Sequence, residues 1–135
     1  MKYDYTKEET RFYLANIGED LPIPLFIIID EQRESVKFFS YLPFRFPEAK
    51  IADGAFAACI VNDRILYGSF DFDVSEGSTL YKYVLPYDLL NEELFYFLLR
   101  LVLQTIDFYN DKLYSVSEGK MSVTEFYDML NKKDD

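Results

Sequence analysis

Polar and hydrophobic positions divide the chain into short blocks whose period changes as it proceeds. Glu9–Asn16 (ETRFYLAN) alternates weakly and reads as a strand, with a short helix from Thr6 as the competing reading. GEDLP then marks a turn. Ile23–Asp30 (IPLFIIID) is apolar at nearly every position and rich in β-branched residues. Such a run predicts a strand covered on both faces or at a central place in a sheet. EQRE is a polar connection, and Ser35–Leu42 (SVKFFSYL) is the return strand of a hairpin.

The period then lengthens. Pro47 suits the first turn of a helix, and Glu48 sits near the positive end of its dipole. Ile51, Ala55, Ala58, Cys59 and Asn62 recur at helical spacing, and the alanines with Gly54 predict a thin helix that can lie close to a sheet. Strands return at Ile65–Val74 and Thr79–Leu85. Asn91 is placed as the N-cap of the longest helix, with Glu92 and Glu93 in its first turn, an end near Ser117 and a stop at Gly119. Ser122-Val-Thr-Glu125 is a capping box for a last short helix carrying Phe126, Met129 and Leu130, and NKKDD reads as a solvated tail. The order β-β-β-α-β-β-α-α predicts an α+β fold, an antiparallel sheet of about five strands packed by helices. With no repeat and no Pro/Gly-rich linker, residues 1–135 read as a single domain with its core over about 12–129.

Composition narrows the functional classes. The chain has 135 residues, half of them hydrophobic, with 13 Phe and 12 Tyr, so it can bury enough apolar surface to offset its ordering entropy. A net charge of −10 opposes nucleic-acid binding, where basic contacts to phosphate supply much of the affinity, and opposes docking on anionic membranes. Solubility accounts for such acidity, and a complementary protein partner is the sharper reading. A lone Cys rules out an intrachain disulfide framework and fits an intracellular, cytoplasmic location. MKYDYTKEETR has no apolar core and is not expected to be a signal peptide. Leu94–Ile106, the most apolar run, is broken by Arg100 and Gln104 and is too short to span a bilayer.

Reactive chemistry finds little support. Histidine is absent, which removes the commonest general base and metal ligand. Cys59, among apolar neighbours, reads as a buried, inert thiol. The glycines are scattered, so no phosphate-binding loop is present. Asp71, Asp73 and Glu76 crowd together before Gly77 in GSFDFDVSEGSTLYKYVL. A calcium loop starting at Asp71 would need Gly where Glu76 stands and a bidentate Glu where Lys82 stands, so that reading fails. A hairpin with SEGS as its loop fits better. It sets Val74 opposite Thr79, Phe72 opposite Tyr81, Asp71 opposite Lys82 and Phe70 opposite Tyr83, with the aromatics on one face and the charges on the other. The expectation is therefore a non-enzyme with no catalytic residue, no metal and no cofactor.

Two apolar stripes run along the long helix. Phe95, Leu98, Leu99, Val102, Ile106, Tyr109 and Leu113 form one, and Leu94, Phe97, Leu101 and Phe108 the other. Packing on the sheet needs one stripe. The second implies either cover from the last helix or a second subunit, for which a two-fold homodimer is the expected form.

LPIPLFIIIDEQRESVKFFSYLPFRFPEAK, then ILYGSFDFDVSEGSTLYKYVL, then LVLQTIDFYNDKL carry a resemblance. In the order and spacing of LPIP, YLPF, YGSFD and DFYNDKL, over about Phe12 to Met129, the chain resembles the YbjN-like family of small bacterial proteins. That family is described as sensory transduction regulators with a fold like type III secretion chaperones. The resemblance implies a chaperone-like α+β fold, commonly dimeric, with no established catalytic residue. Unlike such chaperones, which begin with a helix, this chain reaches its first strand almost at once. The first expectation is thus a protein- or peptide-binding or regulatory module, by strand addition at a sheet edge or by an apolar groove. Phe38, Phe39, Tyr41, Tyr81 and Tyr83, with Leu94, Phe97, Leu101 and Phe108, are its candidate interface or groove residues. The alternative is a small-molecule sensor with a pocket between sheet and helices.

Overall fold

In a computed structural model of the protein, the structure describes residues 2–5, 9–14 and 21–132, the first two segments through their backbone pairing. Its strands are β1 (Lys2–Tyr5), β2 (Glu9–Leu14), β3 (Leu25–Asp30), β4 (Ser35–Arg45), β5 (Ser69–Phe72) and β6 (Ser78–Pro86). Its helices are α1 (Ile51–Arg64), α2 (Glu92–Ser117) and α3 (Val123–Lys132). The fold is α+β with an antiparallel sheet. β3, β4, β6 and β5 carry its described side chains, and β2 and β1 extend it beyond β3, giving the order β1-β2-β3-β4-β6-β5. Glu9–Leu14 is the strand its weak alternation predicts, while Thr6, the start of the competing helix, and Gly18–Asp20 of the expected turn lie outside the described residues. β1 is a strand that the pattern of the sequence did not single out.

Local sequence explains the elements. Leu25 and Ile27 of β3, Val36 and Phe38 of β4 and Tyr81 and Leu85 of β6 are buried beneath the helices. The intervening residues face the other way, which is the period-2 rule of a sheet. Asn91 caps α2 as its sequence predicts, its Oδ1 accepting from the Leu94 N–H at 2.8 Å. The helix ends in a Schellman turn, in which Gly119 holds φ +77 and the Lys120 N–H reaches the Ser115 carbonyl at 2.9 Å. The capping box of α3 closes in both directions: Glu125 N–H to Ser122 Oγ is 3.1 Å, and Ser122 N–H to Glu125 Oε1 is 3.0 Å.

All three helices lie on the same face of the sheet. α2 buries Leu98, Val102, Ile106 and Leu113 of its first stripe, whose Phe95, Leu99 and Tyr109 are half-buried, and α3 adds Phe126 and Leu130. α1 presents Gly54, Ala57, Ala58 and Val61 inward. That face shares only Ala58 with Ile51, Ala55, Ala58, Cys59 and Asn62, the set that helical spacing suggested. The smallest side chains win the inward positions because α1 lies against Phe72. A Cβ at Gly54 would stand 2.5 Å from the Phe72 ring. Cys59 is accordingly exposed, so the buried thiol expected from its neighbours is corrected.

Candidate interaction surfaces

The Asp71–Glu76 carboxylates hold a turn. Asp73 Oδ1 accepts from the Ser75 N–H at 2.8 Å, from Ser75 Oγ at 2.6 Å and from the Glu76 N–H at 3.3 Å. These donors, the Ser75 hydroxyl foremost, keep the Asp73 carboxyl below its usual range. Asp71 pairs with Lys82 at 3.3 Å, and Glu76 reaches Arg45 at 3.9 Å. The hairpin forms in a register two residues away from the expected one: Phe70 faces Tyr81, Asp71 faces Leu80 and Phe72 faces Thr79. Val74 leaves the strand and is exposed. Because the side-chain period of a strand is two, a shift of two residues keeps every side chain on its expected face, and Lys82 still reaches Asp71 diagonally.

The expected interface aromatics separate into core and surface. Phe38 and Tyr81 have no exposed surface, which corrects their assignment to an interface or groove. Both point inward, Phe38 against Phe95 with ring centroids 6.0 Å apart and Tyr81 against Phe70 at 5.1 Å. Burial pushes the Tyr81 phenol up to about 12, and its hydroxyl donates to the Tyr67 carbonyl at 3.0 Å. Tyr83 is half-buried on the helix side, edge-on to Tyr67. Phe39 and Tyr41 lie on the opposite face.

That opposite face has no helix over it among the described residues. Phe26 of β3 stacks on Phe39 of β4 at 5.2 Å with the planes 14° apart, and Tyr41 meets Phe39 edge-on at 6.4 Å. Leu80 and Val84 of β6 continue the apolar surface, and Tyr41 is 52% exposed. Lys37 and Lys82 stand within it.

A second apolar surface runs along a flank of α2. Leu94, Leu101 and Phe108 are half-buried and Phe97 is 48% exposed. At 100° per residue these four lie roughly 120° around the helix from the buried stripe. Their spacing of three, four and seven residues is that of a heptad seam, with Gln104 at its polar step. Beside the seam runs the segment Ile65–Tyr67, which the sequence pattern assigned to a strand and which instead crosses the surface as a loop. Leu66 in it is 83% exposed, and Tyr67 packs edge-on against Phe97 at 6.5 Å. Leu101, Phe108 and this loop line a groove of about 420 Å³. Lys112 holds its Nζ 4.0 Å above the Phe108 ring. α3 packs elsewhere, its Phe126 and Leu130 in the core.

The β5 edge of the sheet is occupied by a side chain. Asn62 of α1 donates from Nδ2 to the Phe70 carbonyl at 2.9 Å and accepts at Oδ1 from the Phe70 N–H at 2.7 Å. One amide thus satisfies both outward backbone groups of Phe70, where an added strand would pair. Sequence reasoning placed Asn62 on a helical stripe and did not see this role. The pairing is long-range, and no local signal announces it.

Among the described residues no three His, Cys, Asp or Glu side chains gather where they could hold a metal ion, and no helix is long and apolar enough to cross a membrane. Compared with known proteins, the chain matches no family model, no curated protein and no solved structure.

Proposed function

We propose that the protein is a non-catalytic, cytoplasmic protein-binding or regulatory module that acts as a two-fold homodimer, as its resemblance to the YbjN-like proteins and their chaperone-like fold implies. The observation that carries this reading is the α2 seam. Leu94, Phe97, Leu101 and Phe108 repeat at heptad spacing on a flank where Phe97 is exposed and the other three are only half-buried against the core. Two copies of α2 laid antiparallel bury this seam symmetrically, with Leu66 and Tyr67 at its rim. Helix packing then forms the dimer and leaves the outer sheet face for another protein. Strand addition at the β5 edge is disfavoured, because Asn62 already occupies the Phe70 groups.

The sensor reading has less behind it. The space between sheet and helices is filled by Phe38, Phe70, Tyr81 and Ile106, each at most 1% exposed. A cleft of about 530 Å³ bounded by Tyr41, Arg45 and Glu76 lies on the surface instead.

Sedimentation velocity at high micromolar concentration tests the proposal. The expected result is a dimer that Leu101→Glu converts to a monomer with unchanged far-UV circular dichroism. A wild-type protein that stays a strict 16 kDa monomer refutes it.

A further inference from the structure

A residue of the core reaches the rim of the α2 seam from behind. We propose that Tyr81, through its hydroxyl, is the positioning residue for Leu66 and Tyr67, so that the grip of one copy on the other depends on a side chain that neither exposes. This rests on the dimer reading and names a residue that acts on that contact from the core.

Residues 65–68 join α1 to β5. The ends of this loop are fixed, since the Ile65 N–H reaches the Val61 carbonyl at 3.1 Å and Asn62 holds both outward backbone groups of Phe70. Its middle is held from β6. The Tyr81 hydroxyl donates to the Tyr67 carbonyl at 3.0 Å, and Tyr83, two residues along the same face of the strand, meets the Tyr67 ring edge-on at 6.0 Å. The hydroxyl comes so near because residue 68 is glycine: a Cβ there would collide with it. Tyr81 is fully buried and its ring is seated against Phe70, so the core fixes where the donor points.

The loop held in this way presents Leu66, the most exposed large hydrophobic side chain among the described residues, and sets the Tyr67 ring edge-on to Phe97 of the seam. An apolar side chain on a loop already in its bound shape adds buried area to a contact without an ordering cost. On a free loop the same side chain must first give up the backbone freedom of its segment. The buried hydroxyl therefore sets how much Leu66 contributes to association. Packing alone does not ask for it, because phenylalanine would fill the same space against Phe70. What tyrosine adds is the donor, and the donor goes to this loop.

A double-mutant cycle of Tyr81→Phe and Leu66→Ala, read by sedimentation equilibrium on the full chain, tests the proposal. Tyr81→Phe is expected to weaken the dimer roughly fivefold, the worth of one neutral hydrogen bond. Leu66→Ala is expected to weaken it roughly tenfold, and in that background Tyr81→Phe should change the constant less than about twofold, because the loop then has little to present. Gly68→Ala, which pushes the loop off the hydroxyl from the other side, is expected to weaken the dimer as Tyr81→Phe does. Chymotrypsin, which cuts after Leu and Tyr, reads the loop directly. In the Leu101→Glu chain, cleavage after Leu66 and Tyr67 is expected to quicken roughly fivefold with Tyr81→Phe while cleavage elsewhere stays the same. Additive effects in the cycle, or cleavage quickened alike at every site, would show a merely structural role and overturn the proposal. A wild-type dimer that Tyr81→Phe leaves equally tight overturns this inference alone, whereas a monomeric wild type overturns the dimer and this inference with it, so the two failures are told apart.

Discussion

Gly77 holds φ at +75° in the turn between β5 and β6, and a Cβ there would run into the Phe46 carbonyl. Both facts bind the same residue. The left-handed backbone favours glycine, and the chain leading into α1 leaves no room for a side chain. The Gly77 carbonyl in turn accepts from the Phe46 N–H at 2.8 Å, so the turn and the entry to α1 are pinned together. Gly77→Ala is therefore expected to cost about 2 kcal/mol or more in urea unfolding, with the largest loss of amide protection in β5 and β6. An unchanged midpoint would show that the turn relaxes freely. At this scale sequence reading did well where the cause is local. Asn91, Gly119 and the Ser122–Glu125 box lie where capping chemistry puts them, because each bond joins residues a few positions apart. It failed at Cys59, whose exposure depends on which face of α1 meets Phe72, and that is a tertiary fact.

Asn62 shows what happens one scale up. A short edge strand such as β5 exposes backbone groups that invite pairing with another chain, and proteins block such edges in various ways. Here a helix lends an amide that mimics a neighbouring strand at Phe70. Asn62→Ala removes both bonds and leaves the Phe70 N–H and carbonyl to solvent or to a second edge. The expected cost is roughly 1–3 kcal/mol, accompanied by concentration-dependent self-association seen by light scattering. Lowered stability without association would mean that the β5 edge is closed by more than this one amide. The same hairpin shows the limit of pattern. Alternation fixes which face a residue occupies, and Asp71, Phe70 and Phe72 all face as expected. It does not fix register, since shifts of two are silent to it. Asp73 set the register by gathering Ser75 and Glu76 into a turn and ending β5 before Val74. Likewise Ile65–Tyr67 reads as strand by its residues but is held off the sheet, with the Tyr81 hydroxyl bonded to the Tyr67 carbonyl.

Charge is distributed by layer in the whole molecule. α1, α2 and α3 carry eight acidic residues against four basic, while β3 to β6 carry two against three. Composition alone showed the net acidity but could not show this division, because it follows from which elements share a face. The division bears on self-association. In the proposed dimer, two copies joined along α2 would bring their acidic layers together, so repulsion would oppose a contact whose attraction comes from Leu94, Phe97, Leu101 and Phe108. Added salt shortens the Debye length and weakens the repulsion, while the apolar attraction is left intact or strengthened. The dimer is therefore expected to tighten severalfold as sodium chloride rises from about 20 mM to about 300 mM, where the Debye length is below about 8 Å. Sedimentation equilibrium at several salt concentrations measures this directly. Weakening with salt would show that ion pairs rather than the seam hold the copies together. Carried through in Leu101→Glu, the same series separates the terms: the added carboxylate deepens the repulsion, so whatever association remains should depend on salt more steeply than in the wild type.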